Sequence, residues 1–364
     1  MRQIVFSGIN LFSGGTLTIY REMIKSLLEK KLDLRYEIVC FVHSKELFVD
    51  FEKKVKLIEI NDSRKSYIKR LYYENIYFKK YSKEKDVYIW ISAQDITPNV
   101  KADKLITYCH NPMMFYKIDK KELKYSKKLA MFSLLYKYVY KINIKKNTFV
   151  VVQQDWIRDA FKKQYKINNI IVAKPIISHK KIKNIKLPGN VTTFIYASQA
   201  TFFKNFDVLC EASKMLYNEG ITEFSVFLTI DGTENAYSRE LKKKYSHIPQ
   251  IKWIGFQKQE KLFKLYAESD CLIFPSQLET WGLPISEYKN THKPILLADL
   301  PYAHETIGNY DKVKFFHPND SIQLADYMKQ FISGTLELDV EKPKIIRHPV
   351  VENWQEFWNF LDEC

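Results

Sequence analysis

The stretch FPSQLETWGLPISEYKN, Phe274 to Asn290, joins the end of one apolar run to the start of another. Cys271 to Pro275 reads as a short buried strand, and the residues from Pro284 read as a helix with proline in its first turn. Between them lies a strand-to-helix loop. The first amides of a helix have no partner inside it, and the aligned peptide dipoles make that end attractive to anions such as phosphate. Gly282 lets a ligand approach the backbone closely, and Glu279 and Glu287, eight positions apart, can face one crevice. Carboxylates repel phosphate, so their expected partners are hydroxyl donors. A diphosphate-linked sugar, with ribose on one side and hexose on the other, supplies both. An acid in a first helical turn also stabilises the dipole by itself, so the spacing alone leaves a structural role open.

Outward from this loop, the same alternation fills the chain. "QIVFSGI", "EIVCFV", "VKLIEI", "VYIWIS", "KLITYC", "TFVVVQ" and "NIIVAK" are strand-like and alternate with helical patterns; after a lysine-rich stretch the pattern restarts with "TFIYAS", "FSVFLTI", "IKWIGF", "CLIFPS", "PILLAD" and "VKFFHP". Continuous apolar strands separated by helices indicate parallel sheets covered on both faces, with ligands at the carboxyl edges of the strands. The expected division is a first α/β domain over 1–176, a linker over 177–190, ISHKKIKNIKLPGN, and a second α/β domain over 191–345. The final segment, 346–364, carries Trp354, Phe357, Trp358 and Leu361 at helical spacing and is expected to pack back across the domains as an amphipathic helix.

The length of 364 residues suits two domains, and 46% apolar content supports their burial. A formal charge of +15 favours an anionic partner: nucleic acid, an acidic membrane surface or phosphorylated small molecules. Five scattered cysteines without a Cys-x-x-Cys pair read as reduced, buried thiols of a cytoplasmic protein. No signal peptide or membrane span is expected; the longest apolar run, LAMFSLLYKYVYKI, is broken by Lys137 and Lys141.

Other residues fall at loops of the same kind. Lys204 and Asn205 follow the first strand of the second half, where a lysine neutralises phosphate and an asparagine caps a helix. Gly14 and Gly15 lie between the first strand and first helix without the third glycine of a dinucleotide fingerprint, so a plain tight turn is an equal reading. His110 follows the strand KLITYC, where a histidine hydrogen-bonds a sugar hydroxyl or merely satisfies loop carbonyls.

Together FPSQLETWGLPISEY and YASQATFFKNFDVL resemble the two donor-binding signatures of the retaining glycosyltransferases of family four. GINLFSGGT, CHNPMMFY, VVQQDWIRDAF and ADLPYAHETIG fall in the order that family shows, so the resemblance covers most of the chain. Within that family the chain resembles bacterial enzymes of O-antigen and capsule synthesis. The resemblance implies the GT-B architecture: α/β, two facing Rossmann-like domains with the active site in the interdomain cleft. It implies that Glu279 contacts the donor sugar, that Glu287 holds the ribose hydroxyls, and that the amides of Gly282 and Leu283 bind the diphosphate with Lys204. Gly14 and Gly15 would border the diphosphate, His110 would touch the transferred sugar, and Phe256 would lie near the base. Thr280, Ser198 and Asn205 complete the implied donor set. One departure is Gln199, where many relatives carry an arginine, which leaves the leaving group more dependent on Lys204.

The function expected is transfer of a sugar from a UDP, GDP or dTDP donor to a saccharide acceptor, lipid-linked, with retained anomeric configuration. A diphosphate is a good leaving group that electrostatic preorganisation can serve, and no Asp-x-Asp occurs. No metal and no cofactor are therefore expected. The lysine- and aromatic-rich stretch 117–146, with Lys120, Lys121, Lys124, Lys127 and Lys128, and a second surface over 67–85, are expected to contact anionic lipid at the cytoplasmic face of the inner membrane. Alternatives are a nucleotide-sugar epimerase of the same fold, a sugar-nucleotide-binding protein without catalysis, or a basic nucleic-acid- or membrane-binding protein. A nucleic-acid partner is disfavoured because the motifs gather on donor-site loops rather than in a basic, stacking groove.

Overall fold

The computed structural model describes residues 1–116, 123, 125, 127–175, 182–185 and 189–363, and of residues 127–130, 132 and 133 the backbone alone. The chain divides into two compact units, Met1–Tyr116 with Met131–Ile176 and Ile346–Cys364, and Lys117–Ala130 with Ile177–Ile345. Of the expected linker, 177–190, only 182–185 and 189–190 are described. Asn184 Nδ2 donates to Thr291 O (2.9 Å) and Ile185 N to Ala267 O (2.9 Å), both within the second unit.

The first unit runs β1 (Gln3–Gly8), α1 (Gly14–Glu29), β2 (Glu37–Val42), β3 (Lys56–Glu59), α2 (Tyr67–Tyr72), a π-helical turn over Tyr73–Tyr77, α3 (Phe78–Lys83), β4 (Val87–Ser92), β5 (Lys104–Tyr108), α4 (Lys127–Lys141) from Met131 onward, β6 (Phe149–Val152), α5 (Asp155–Tyr165) and β7 (Ile170–Ala173). The second runs β8 (Thr192–Tyr196), α6 (Phe206–Asn218), β9 (Phe224–Leu228), α7 (Ala236–Tyr245), β10 (Ile251–Trp253), α8 (Gln259–Glu268), β11 (Cys271–Phe274), α9 (Leu283–Lys289), β12 (Ile295–Ala298), α10 (Pro301–Ile307), β13 (Tyr310–Phe316), α11 (Ser321–Ser333) and β14 (Asp339–Glu341). The chain then returns to the first unit through β15 (Val350–Val351) and α12 (Trp354–Glu363).

Both sheets reverse direction at their centre. The orders are β15-β7-β6-β5-β4-β1-β2-β3 and β10-β9-β8-β11-β12-β13-β14, with every pair parallel except β13 and β14. Such an order leaves a crevice at the carboxyl ends of the two strands where it reverses, and ligands of doubly wound sheets bind there. The switch points are β1 with β4 and β8 with β11. The strands are apolar throughout because both faces are covered: Phe6 and Ile91 face the helices α1 and α12, while Val5, Phe41 and Trp90 face Phe78 of α3. α12 buries Trp354, Phe357, Trp358 and Leu361 in the first unit's core, each 1–2% exposed. Burial of such side chains contributes roughly 1.5–3 kcal/mol apiece.

The return segment is tied down by polar groups as well. Arg158, 1% exposed on α5, donates to Arg347 O (2.6 Å) and Pro349 O (3.1 Å) and pairs with Asp155, while Arg347 reaches Asp155 (3.2 Å) and Asp159 (2.5 Å).

Candidate active site

The switch point of the second unit brings together two loops that are far apart in sequence. Gln277 N donates to Phe203 O (2.8 Å), and Tyr196 OH donates to Lys204 O (2.6 Å), so the loop after β11 is fastened to the loop after β8. Lys204 Nζ then lies 2.5 Å from Glu279 Oε1, with the two side chains 16% and 12% exposed. Asn205 stands at the start of α6, as expected, but its side chain does not cap the helix. Its φ of 57° turns the amide away, and Nδ2 donates instead to Pro275 O (3.1 Å), a further tie between the loops, and to Pro318 O (2.6 Å) after β13.

Gly282 precedes α9 with φ 83°, a left-handed conformation suited to glycine. A Cβ there would lie 3.1 Å from Ile285 Cδ1, so the turn has little room for a side chain. Trp281 Nε1 donates to Ser286 Oγ (2.9 Å), fixing the loop around Thr280 and Leu283. Glu287 is on α9, where burial pushes its carboxyl up to about 7; its one described hydrogen bond comes from Tyr266 OH at 3.5 Å.

Beside these loops is a cavity of about 460 Å³ lined by Ser198, Gln199, Thr201, Glu234, Asn235 and Phe256, among others. Phe256 is 86% exposed, an aromatic face left open to stack on a ring. Sequence reading placed Ser198, Gln199 and Phe256 here and missed Glu234 and Asn235. Glu234 accepts from Asp231 N (2.7 Å) and Gly232 N (3.0 Å), and Asn235 forms a capping box with Ser238 at the start of α7. The signal was present in DGTENAYS, an Asp-Gly turn followed by a capping pattern, at the carboxyl end of β9.

In the first unit, Gly14 begins α1 with φ 71° and open space where a Cβ would stand. Gly15 is the second residue of that helix. His110 follows β5: its Nε2 is 2.8 Å from Ala93 O, and its Nδ1 is buried with no hydrogen-bond partner among the described residues. Because a carbonyl only accepts, Nε2 carries the proton and Nδ1 the lone pair. Burial holds the imidazole below its usual pKa against the pull of Asp95, so the ring is neutral.

Lys120, Lys121 and Lys124 lie outside the described residues, as do the side chains of Lys127 and Lys128. Of the aromatic residues expected on that surface, Tyr136 and Tyr140 are instead core, 3% and 1% exposed, because α4 turns them against α5. The exposed face of α4 carries Met131, Leu134, Leu135 and Tyr138.

Residues 178–346 match the family model "Glycosyl transferases group 1", which spans the whole second-unit site. Over these residues the second unit is similar to the group 1 glycosyl transferases. Among curated relatives, the O-antigen chain mannosyltransferase RfbU of Salmonella typhimurium is 21% identical over 237 residues, 60% of this chain and 62% of that protein. The chain spans less than two thirds of the length of the curated relatives it matches. Among solved structures, the lipopolysaccharide outer core galactosyltransferase WaaB in its apo form aligns over 100% of both chains with a TM-score of 0.66 and 14% identity. HepE of Anabaena in complex with UDP-glucose aligns over 98% of this chain and 94% of that one, with a TM-score of 0.62 and 13% identity. At these identities the structures establish the fold, that of glycosyltransferases with two Rossmann-like domains. In the matched region the Lys204–Glu279 pair and Glu287 lie on the loops and helix that follow the switch-point strands β8 and β11.

Proposed function

We propose that the protein is a retaining, metal-independent glycosyltransferase that moves a sugar from a nucleoside diphosphate donor to a lipid-linked saccharide acceptor in bacterial surface-polysaccharide synthesis. The observation that carries this reading is the pairing of Lys204 with Glu279 beside the left-handed Gly282 and the open cavity. In this reading the base stacks on Phe256, the ribose hydroxyls donate to Glu287, and the diphosphate meets Lys204 with the amides of Gly282 and Leu283. Ser198, Thr280 and Asn205 line or brace the donor loops, and Glu279 orients both Lys204 and the sugar. Gly14, Gly15 and His110 are the first unit's candidate substrate residues, His110 accepting a sugar hydroxyl.

The anomeric carbon–oxygen bond to phosphate breaks as the acceptor oxygen bonds to that carbon on the same face. The acceptor's proton passes to the departing phosphate oxygen, so atoms and charge balance without a metal. Lys204 stabilises the negative charge that develops, a role preorganised groups fill efficiently. The curated relatives are named mannosyltransferases, which makes a mannose donor the first to try.

Among the described residues no helix is long and apolar enough to cross a membrane. Contact with anionic lipid at the inner membrane's cytoplasmic face is supported by exposed apolar residues set among lysines: Leu134 and Leu135 on α4, and Tyr67, Ile68 and Tyr72 on α2.

Thermal shifts with UDP, GDP, dTDP and their sugars test the donor site, because a ligand at about 100 times its Kd adds about 2.7 kcal/mol of apparent stability. A selective shift that Glu287→Ala abolishes is expected; folded protein indifferent to every nucleotide overturns the reading. Turnover undiminished by EDTA, and an anomeric proton signal of the product matching the donor's configuration, are the expected results for the chemistry.

A further inference from the structure

The strand VYIWIS is followed by Ala93, Gln94 and Asp95, at the carboxyl end of β4 and hence at the first unit's switch point. Two consecutive side chains there hold both of that unit's candidate substrate loops. Gln94, 1% exposed, accepts from Asn10 N at 3.0 Å through Oε1, at the start of the loop that leads to Gly14 and Gly15. Its Nε2 donates to Glu74, a fully buried residue of the π-helical turn, and its carbonyl accepts from Arg70 at 2.5 Å. Asp95 Oδ1 accepts from His110 N (2.6 Å), Asn111 N (3.1 Å) and Tyr140 OH (2.8 Å). Ala93 O receives the ring of His110 itself.

Asp95 has φ 74°, a left-handed conformation that aspartate tolerates better than most residues but that still costs energy unless the surroundings hold it. Three donors converging on one carboxylate oxygen supply that constraint. π-helical turns concentrate at functional sites, and the turn's Glu74 side chain, beside the charge of Arg70, takes its one described hydrogen bond from Gln94.

We propose that Gln94 and Asp95 are positioning residues of the transfer reaction, fixing the Asn10–Gly15 loop and the His110 loop as one piece and presenting His110 Nδ1 as the acceptor for a sugar hydroxyl. This rests on the glycosyltransferase reading above. The Nδ1 left without a partner is what a protein-side acceptor awaiting a substrate donor requires, since buried polar groups otherwise find partners.

Asp95→Gly separates geometry from strain, because glycine accepts φ 74° while removing all three anchors. Asp95→Asn keeps a carbonyl acceptor in the same place. With selectively ¹⁵N-histidine-labelled protein, and His110→Gln to assign the signal, the wild type is expected to show a fixed Nε2–H tautomer. Asp95→Gly is expected to lose that signature and to lower kcat about 100-fold, the scale of a displacement of about 1 Å in a positioned group. The nucleotide-induced thermal shift, which reads the second unit, stays unchanged. Asp95→Asn restores the tautomer and brings kcat to within about tenfold of wild type. A wild-type imidazole signal or wild-type kcat in Asp95→Gly overturns the proposal, as does an Asp95→Asn variant as impaired as Asp95→Gly. Should the wild-type protein transfer no sugar, the transferase reading fails and the imidazole signature alone decides whether Asp95 positions His110.

Discussion

Burial pushes the Glu287 carboxyl up to about 7, and pushes that of Glu74 up to about 8 against the opposing charge of Arg70 and the hydrogen bond from Gln94. An ionised Glu287 accepts from the two hydroxyls of a ribose with both oxygens and more strongly than the protonated acid, so nucleotide affinity is expected to rise between pH 6 and pH 8. Isothermal titration across that range checks it, and Glu287→Gln should give a weak, flat profile. The effect on stability has the opposite sign. An acid whose folded pKa exceeds its unfolded value binds more protons when folded, so its contribution is fully present below about pH 4.5 and is lost as pH rises through the folded pKa. Tm is therefore expected to fall between pH 5 and pH 9, and less steeply in Glu74→Gln. Lys204→Ala removes the cation from the leaving group and leaves Glu279 without its partner. Turnover is expected to drop about 10²–10³-fold, the range seen when one stabilising donor is lost, as measured by release of the nucleoside diphosphate.

At the scale of elements, the first unit depends on a segment that sequence places at its far end. β15 pairs with β7, through Val350 opposite Val172 and Val351 opposite Ala173, and α12 covers the sheet beside α1. Trp358→Ala is expected to cost about 3–5 kcal/mol, as loss of a large buried aromatic does. Arg158→Met is expected to cost a similar 3–5 kcal/mol, because it strands the buried Asp155 carboxylate and unties Arg347 and Pro349. Urea unfolding of each variant checks both values. A fragment of residues 1–176 should aggregate, and a peptide of 346–364 supplied with it should restore solubility.

For the whole molecule, a charge of +15 with exposed leucines on α4 predicts salt-sensitive adsorption to vesicles containing anionic phospholipid. Paired Leu134→Ser and Leu135→Ser substitutions are expected to weaken it tenfold or more by sedimentation, while nucleotide binding stays intact. Much of this architecture was legible in the sequence, because strands buried on both faces leave runs such as CLIF and VVQ that turns and helices do not imitate. The loops at their carboxyl ends were legible for the same reason. What was not legible depends on adjacency: Lys204 meets Glu279 because β8 pairs with β11, a fact no local pattern records. Gln94 and Asp95 passed unnoticed since two polar residues after a strand look like any loop, and the backbone angle that distinguishes Asp95 has no sequence signature. β15, two residues long, is too short to register as an apolar run. Its position has a consequence for synthesis on the ribosome. The seven-stranded sheet has all its strands once Glu341 has emerged, whereas the eight-stranded sheet still awaits an edge strand and a covering helix. The unit whose translation begins first is therefore the last to close, and until then its apolar face is exposed to chaperones.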